Sequence, residues 1–153
     1  MSVSDDDVAA MIAAVPYARF LGVRLEMAGD ELTAVLPYSE RLIGNPGLPA
    51  IHGGVLGALM EITALAQIAA ARAAAGQGSR FPKPIDVTVE YLRSGRPVDT
   101  FARATIKRMG RRIANAHVEA WQEARGAPIA ALHGHFLLPE SPSPLVGEGG
   151  AQA

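Results

Sequence analysis

The chain has 153 residues, of which 49% are hydrophobic, and it carries 14 basic against 15 acidic side chains. This length suits one domain with a sizeable core, and a net charge of −1 leaves no overall field that would recruit nucleic acid or a membrane surface. Because the sequence contains no cysteine, disulfides, thiolate metal sites and a cysteine nucleophile are excluded, and the composition suits a reducing cytoplasm.

Three short elements are predicted in the first forty residues. Residues 7–15 combine an acidic start with one apolar stripe, which predicts a helix ended by Pro16. Residues 22–26 and 31–36 alternate between apolar and polar side chains. They are therefore predicted to be two strands joined by a turn at Gly29-Asp30.

The most informative stretch is a Pro/Gly-rich loop that ends in His52-Gly53-Gly54 and opens into an apolar helix, predicted over residues 53–75. Glu61 near its middle argues against a membrane span, so we expect a buried helix of a soluble protein. A helix start offers free N–H groups to a developing negative charge. A lone carboxylate among apolar residues is costly to bury. Together these two features suggest acyl chemistry.

The second half of the chain changes to a period of two. It predicts four strands, at residues 85–92, 101–109, 113–123 and 128–138. From Pro139 onward the sequence is rich in Pro, Ser and Gly, which predicts a mobile tail. An almost wholly apolar helix must be covered on most sides. We therefore predict an α+β fold in which a curved antiparallel sheet wraps one long central helix.

An ordered set of motifs lies between residues 17 and 138. Its members are Phe20-Leu21-Gly22-Val23, Gly44-Asn45-Pro46, His52-Gly53-Gly54 with Glu61, residues 85–93, and Gly110-Arg111-Arg112. On these residues the chain resembles the hotdog-fold acyl-CoA thioesterases, specifically the phenylacetate-pathway (PaaI-like) branch. The resemblance implies an N-terminal helix at 1–16, a hotdog domain at 17–138 and a tail at 139–153. It also implies an acyl-CoA substrate, no cofactor, and a homo-oligomer that is a dimer or a dimer of dimers.

The resemblance also implies a role for each residue of the central motif. Glu61 would be the general base or the nucleophile, and the N–H of Gly53 would polarise the thioester carbonyl with help from Gly54. Asn45 would orient the thioester or the attacking water. The other reading of each is structural: an interface salt bridge for Glu61, helix packing for the glycines and a turn for Asn45. His52 is predicted to fix the loop more readily than to act as an acid or base.

One position departs from the family pattern. Many relatives carry Ser or Thr just before the long strand, where this chain has Lys83-Pro84. The hydroxyl is therefore dispensable or is supplied by another residue, for example Thr63, Ser79 or Thr88. Pro84 and Leu65 are the remaining candidates for lining the acyl pocket.

The spacing of the two central residues has a geometric consequence. Gly53 and Glu61 are eight residues apart, about 12 Å along a helix, so one thioester carbon cannot contact both on the same helix. If both act on one carbonyl, they come from two antiparallel helices of different subunits. This spacing predicts a dimer with two equivalent sites at its interface.

The basic residues have two readings. They are a solvated rim, or a clamp for the phosphates of coenzyme A, which arginine matches well. The candidates for the clamp are Arg93, Arg96, Arg108, Arg111 and Arg112. His133 and His135 share one face of a strand, but no metal site is predicted because no third ligand lies nearby in the sequence. Few aromatic residues are available as a stacking platform for nucleic acid.

Two rival functions remain open on the sequence. The same fold hosts acyl-thioester dehydratases and hydratases, although the spacing of histidine and acid is wrong for them here. A non-catalytic module that binds or senses acyl-CoA would keep the pocket and the basic rim but would not need a carboxylate at position 61. The acyl group itself, aryl or aliphatic, is not specified by the sequence.

Overall fold

The N-terminal segment folds into two short helices rather than one. A computed structural model describes residues 3–140, and in it α1 spans Asp5–Ala13. Ser4 and Asp7 cap α1 reciprocally, which satisfies two N–H groups that the helix cannot. Pro16 does end the first helix, but it also begins α2 (Pro16–Leu21), which the sequence analysis missed. Proline suits a first helical position because its absent N–H would have no helical partner there.

Six antiparallel strands form one sheet in the order β1-β2-β6-β7-β8-β5. Their bounds are β1 Arg24–Ala28, β2 Glu31–Leu36, β5 Lys83–Tyr91, β6 Thr100–Met109, β7 Ile113–Trp121 and β8 Ala130–Leu137. The predicted strands are confirmed, with ends displaced by up to two residues. The first begins later than predicted because Gly22, with φ of 80°, caps α2 instead of opening a strand.

The loop before the central helix has more structure than the sequence predicted. A turn of 3₁₀ helix at Glu40–Leu42 leads into a small hairpin of β3 (Ile43–Asn45) and β4 (Ala50–Ile51). This hairpin delivers the chain directly to the start of the next helix. Its short strands lack the alternation over four or more residues by which a strand is recognised in sequence.

Helix α3 spans Gly53–Ala74 and packs against the inner face of the sheet, mainly on β6, β7 and β2. The predicted α+β layout of a curved sheet around one long helix is confirmed. Within residues 3–140, α3 alone is long and apolar enough to cross a membrane, yet 67% of its most apolar window is buried inside the protein. It is therefore the core helix of the domain.

The two edge strands of the sheet differ in their cover. At one edge, β1 is packed against α1. At the other edge, β5 keeps large apolar side chains exposed, with Ile85 52% and Val87 40% accessible. Among the strands of residues 3–140, β5 pairs with β8 alone, so no described strand lies beside the backbone groups on its other side. Such an edge is a template for pairing with a further strand.

Candidate active site

The start of α3 leaves one backbone donor free. His52 is the N-cap residue, and its Nδ1 accepts the N–H of Gly54 at 2.8 Å. Its carbonyl accepts the N–H groups of Val55 and Leu56 at 3.0 and 3.3 Å. Among the described residues, the N–H of Gly53 has no protein partner. The first turn therefore presents Gly53 N–H, and not Gly54 N–H, as the donor for a developing oxyanion.

Neighbouring residues fix the position of His52, and its ring contacts the first turn of α3. The backbone N–H of His52 donates to the carbonyl of Leu42 at 2.8 Å. A side chain at Gly44 would lie 2.8 Å from His52 Cα and Cβ, so glycine is required at position 44 for the loop to approach. The ring is engaged as a cap acceptor, which agrees with the loop-fixing reading of this residue.

Tyr91, at the end of β5, is a site residue that the sequence analysis missed. Its hydroxyl donates to the carbonyl of Gly53 at 2.9 Å. A Cβ added at Gly53 would lie 3.1 Å from the Tyr91 ring, so the ring rests directly on the glycine. The only sequence signal was the strand pattern, which gives Tyr91 and Val89 the same face but does not say which element they meet.

Glu61 lies on the one side of α3 that the rest of the chain leaves open. Between residues 55 and 70, every residue of the helix is buried except four, which are Gly57, Ala58, Glu61 and Leu65. These four are partly exposed, as is Gly53, and Gly54 is fully exposed; the six residues together are the exposed stripe of α3. Among residues 3–140, the Glu61 carboxylate has no hydrogen-bond or ion-pair partner within the chain. The structural reading of Glu61, a salt bridge across a subunit interface, therefore stays a prediction beside the catalytic one.

Gly53 and Glu61 are not close to each other within one chain. Both lie in the unbroken helix α3, and their eight-residue separation corresponds to about 12 Å along the axis. A carbonyl bound at the Gly53 N–H is thus out of reach of the Glu61 carboxylate of the same subunit.

Asn45 is already engaged in the loop before α3. Its Oδ1 accepts the N–H of Gly47 at 3.0 Å, and its carbonyl accepts the N–H of Leu48. This arrangement is an Asx turn, the structural reading of the residue. Its side-chain NH₂ is engaged by no other group of the described chain.

A cavity of about 470 Å³ opens beside the start of α3, and its lining includes Gly53, Leu56, Tyr91 and Arg93. Of the predicted basic residues, Arg93 is thus the one that the fold places next to Gly53. Arg96 lies farther along the same loop, where its guanidinium pairs with Glu123 at 2.7 Å.

The remaining arginines lie at the opposite end of α3. Arg111 and Arg112, in the β6–β7 turn, line a cavity of about 1050 Å³ together with Arg72 and Glu140. Arg108 precedes them on β6. Arg72 is 19 residues from Gly53, about 28 Å along the helix. The sequence analysis grouped these arginines with Arg93 and Arg96 in one clamp, and within a single chain that grouping is not formed.

None of the three substitutes considered for the family hydroxyl reaches Gly53 or Glu61 within the chain. Thr63 is fully buried and donates to the carbonyl of Leu59 at 2.6 Å. Ser79 lines a separate cavity against α1. Thr88 pairs with His133 on the outer face of the sheet. Pro84 is exposed near the start of β5, opposite Phe136.

The strand histidines find carboxylates that are distant in sequence. His135 Nδ1 lies 2.9 Å from Asp86 and His133 Nε2 lies 3.6 Å from Glu90. His117 stacks on His133 with ring centroids 4.1 Å apart. Burial and the neighbouring His133 hold the pKa of His117 below its ordinary value. In residues 3–140, no group of three His, Asp or Glu side chains has a geometry that could hold a metal ion.

Comparison with known proteins shows the family of the chain. Residues 48–129, which include the end of the loop before α3, α3 itself and three of the six strands of the sheet, match the thioesterase superfamily. A protein from Chromobacterium violaceum of known structure is 33% identical, covering 88% of this chain and 90% of that one with a TM-score of 0.68. No curated protein is significantly similar in sequence.

Two more distant structures share the fold. A phenylacetic acid degradation-related protein from Ralstonia eutropha is 21% identical, with 86% of this chain and 98% of that chain covered and a TM-score of 0.67. A thioesterase variant from Pseudomonas aeruginosa is 20% identical, with 90% and 94% covered and a TM-score of 0.73. The architecture is the hotdog fold, and the chain belongs to the thioesterase superfamily.

Proposed function

We propose that this protein hydrolyses an acyl-CoA thioester to the free acid and coenzyme A, as a cytoplasmic enzyme of the PaaI-like branch. The observation that carries this proposal is a free backbone donor and an unpaired carboxylate on one exposed stripe of a buried helix. Within residues 3–140, the Gly53 N–H has no partner at the start of α3, and the Glu61 carboxylate has none two turns later. Buried helices rarely keep an ionisable group without a partner unless it has a task.

The exposed stripe of α3 and the bare edge at β5 support a dimer. Gly54, Gly57 and Ala58 lack bulky side chains, so a second helix can approach the backbone of α3 closely. β5 lies beside this stripe, since a Cβ at Gly57 would lie 3.9 Å from Val89. A second copy would cover the helix stripe and β5 together. Two such dimers could associate further into a tetramer.

An antiparallel pair of α3 helices solves the distance problem. If the two helices cross near Gly57, Gly53 of one subunit lies beside Glu61 of the other. Each dimer then has two equivalent sites, as a twofold axis requires. In each site one subunit contributes the oxyanion donor and its partner contributes the carboxylate.

Hydrolysis then follows from these two groups. The carbonyl oxygen of the thioester accepts the Gly53 N–H, and Glu61 removes a proton from a water whose oxygen attacks the carbonyl carbon. The negative charge of the tetrahedral intermediate is held at the helix start, where such a donor is worth about 3–4 kcal/mol of barrier. The C–S bond breaks, and the proton on Glu61 neutralises the leaving thiolate. Direct attack by Glu61, through a mixed anhydride, uses the same geometry.

The two groups of arginines have different places in this dimer. Arg93 shares the cavity with Gly53, on the subunit that binds the carbonyl. Arg72, which lines the other cavity with Arg111 and Arg112, follows Glu61 by 11 residues, about 16 Å along the helix. The phosphopantetheine arm holds the phosphates of coenzyme A at a distance from the thioester. The cavity proposed to bind these phosphates is therefore the one with Arg72, Arg111 and Arg112, on the subunit that supplies Glu61. Leu65, Pro84 and the amide of Asn45 are the proposed contacts for the acyl group and the attacking water.

The first experiment is hydrolysis of an acyl-CoA panel, followed by thiol release, for the wild type and Glu61→Gln. The panel spans short to long aliphatic chains together with benzoyl- and phenylacetyl-CoA. We expect turnover by the wild type and a fall of at least about a hundredfold in kcat for the variant. Binding of the panel without turnover by either protein would contradict hydrolysis and favour the acyl-CoA-binding module.

Subunit complementation tests the shared site directly. Gly53→Pro deletes the donor N–H at a first helical position, which suits the backbone of proline, but the Tyr91 ring must shift because a Cβ there lies 3.1 Å from it. Glu61→Gln deletes the base. Each variant alone should be inactive. Refolded together in equal amounts, half of the dimers are mixed and each has one intact site, so about a quarter of wild-type activity should return. No recovery in verified mixed dimers would place Gly53 and Glu61 of one reaction in the same subunit.

A further inference from the structure

We propose that Tyr91 is a positioning residue that fixes the oxyanion donor by clamping the peptide group after Gly53. This inference rests on the proposed function and extends it to a residue outside the motif that contains Gly53 and Glu61. Its basis is a pair of hydrogen bonds to one peptide group, together with the contact of the ring on Gly53.

The peptide group between Gly53 and Gly54 is held at both of its ends. The Tyr91 hydroxyl donates to the carbonyl oxygen of Gly53 at 2.9 Å. On the other side of the same plane, the N–H of Gly54 donates to His52 Nδ1 at 2.8 Å. One side chain comes from the sheet and the other from the loop before the helix, so together they fix the rotation of that plane.

The clamp acts at the most pliable point of the helix. Two consecutive glycines have more backbone freedom than any other pair, and Gly53 has no side chain of its own to restrict it. The Tyr91 ring supplies the restriction, since a Cβ at Gly53 would lie 3.1 Å from Cε1 and Cζ and 3.2 Å from the hydroxyl oxygen. The Gly53 N–H lies in the preceding peptide plane, whose His52 carbonyl accepts the N–H groups of Val55 and Leu56. With the following plane clamped as well, both backbone dihedrals of Gly53 are restricted and its N–H keeps one direction, which is what electrostatic stabilisation of a transition state requires.

Tyr91 is itself well anchored while its ring stays accessible. Its backbone pairs with Ala130 on β8, and the N–H groups of Leu92 and Arg93 both donate to the carbonyl of Ile129, at 2.8 and 3.0 Å. The side chain is nevertheless 57% exposed and lines the cavity beside Gly53. An aromatic residue that served only the core would be covered; this one has a fixed base and an open ring at the site.

The test is the kinetics of Tyr91→Phe on the best substrate of the panel, with Tyr38→Phe as control because Tyr38 is a partly exposed tyrosine outside the clamp. We expect kcat to fall about 3–10-fold with KM unchanged, the effect of one lost neutral hydrogen bond on a group that acts in the transition state. Tyr91→Leu, which also removes the ring, should fall about a hundredfold. Wild-type kcat in Tyr91→Phe, or a fall explained by a lower melting temperature, would overturn the proposal.

A second readout does not depend on catalysis. Amide hydrogen exchange of Gly54, measured by NMR, should be several-fold faster in Tyr91→Phe than in the wild type, while exchange in the middle of α3 stays unchanged. If the wild type hydrolyses no thioester, the proposed function fails, and this measurement still decides the clamp. Faster exchange at Gly54 supports it, and equal exchange overturns it.

Discussion

Both halves of α3 are apolar, but they differ in whether a long polar side chain has hydrogen-bond partners. In the C-terminal half, Gln67 is buried with both ends of its amide bonded, to Leu32 N–H at 3.1 Å and to the Asp30 carbonyl at 3.3 Å. In the N-terminal half, Glu61 is partly exposed and has no partner in the described chain. Gln67 therefore contributes to the stability of the fold, whereas Glu61 is available for the proposed reaction. Substitutions at the two ends of the helix should thus affect different measurements.

The largest effect is expected from a bulky charge on the exposed stripe. Ala58→Arg should prevent the close approach of two α3 helices, shift the protein to monomer in light scattering, and lower activity by at least about a hundredfold, because each site then lacks half of its groups. Ala74→Arg introduces the same charge at an exposed position in the last turn of α3 and should change neither the mass nor the activity. A fully active monomer of Ala58→Arg would contradict the shared site.

Truncating a fully buried side chain of α3 should instead reduce the stability of the protein. Ile68 is fully buried, so Ile68→Ala should lower the free energy of unfolding by about 2–5 kcal/mol while kcat of the folded protein is retained. Leu65→Ala, one helical turn earlier on the exposed stripe, is the matched comparison. It should cost less in urea unfolding at a concentration where the protein is dimeric, and equal losses would mean that the exposed stripe and the opposite face of α3 are buried alike.

The bonded amide of Gln67 sharpens the contrast with Glu61. Gln67→Ala leaves the buried N–H of Leu32 without its acceptor, which should cost about 1–3 kcal/mol of unfolding free energy. The acyl-CoA turnover number should stay within about twofold of wild type. Glu61→Ala should show the reverse, with activity lost and the melting temperature preserved.

The smallest effect concerns pH and lies outside the helix. Burial and the neighbouring His133 hold the pKa of His117 below its ordinary value of 6.5. As the pH falls, the His117 imidazole is therefore protonated in the unfolded chain before it is protonated in the folded protein. Stability therefore declines as the pH falls below about 6.5 and is unaffected by this group above it. His117→Gln should lose less melting temperature than the wild type between pH 7.5 and 5.5, by a few degrees at most. Parallel losses in the two proteins would remove His117 as the cause.

The long helix and the long strands could be predicted from the sequence because the spacing of apolar residues reflects which side of each element is buried. The alternation of 31–36 and 101–109, and the mostly apolar run from Gly53, correspond to β2, β6 and α3 almost residue for residue. The missed elements are short: α2 has six residues and β4 has two. Elements of that length are set by tertiary contacts rather than by a pattern of their own.

The site was predictable where it depended on one segment and not where it joined several. Gly53, His52 and Glu61 are close in sequence, so the motif was enough to select them. Tyr91 reaches Gly53 only because β5 occupies the sheet edge beside the start of α3, which no local pattern states. The sequence did not show at which end of α3 each arginine near a strand end lies; within one chain Arg93 is beside Gly53, and Arg111 and Arg112 are near Arg72.

The position of β5 at the sheet edge also governs when the site can form during synthesis. β5 follows α3 directly in the chain, yet its partner within the sheet is β8, the last strand. Tyr91 therefore cannot be held against Gly53 until residues 130–137 have left the ribosome and paired. Contacts of such long sequence separation form slowly, so a nascent or truncated chain has α3 and Glu61 without the Tyr91 contact on Gly53. The proposed hydrolase activity would thus require that β8 is in place.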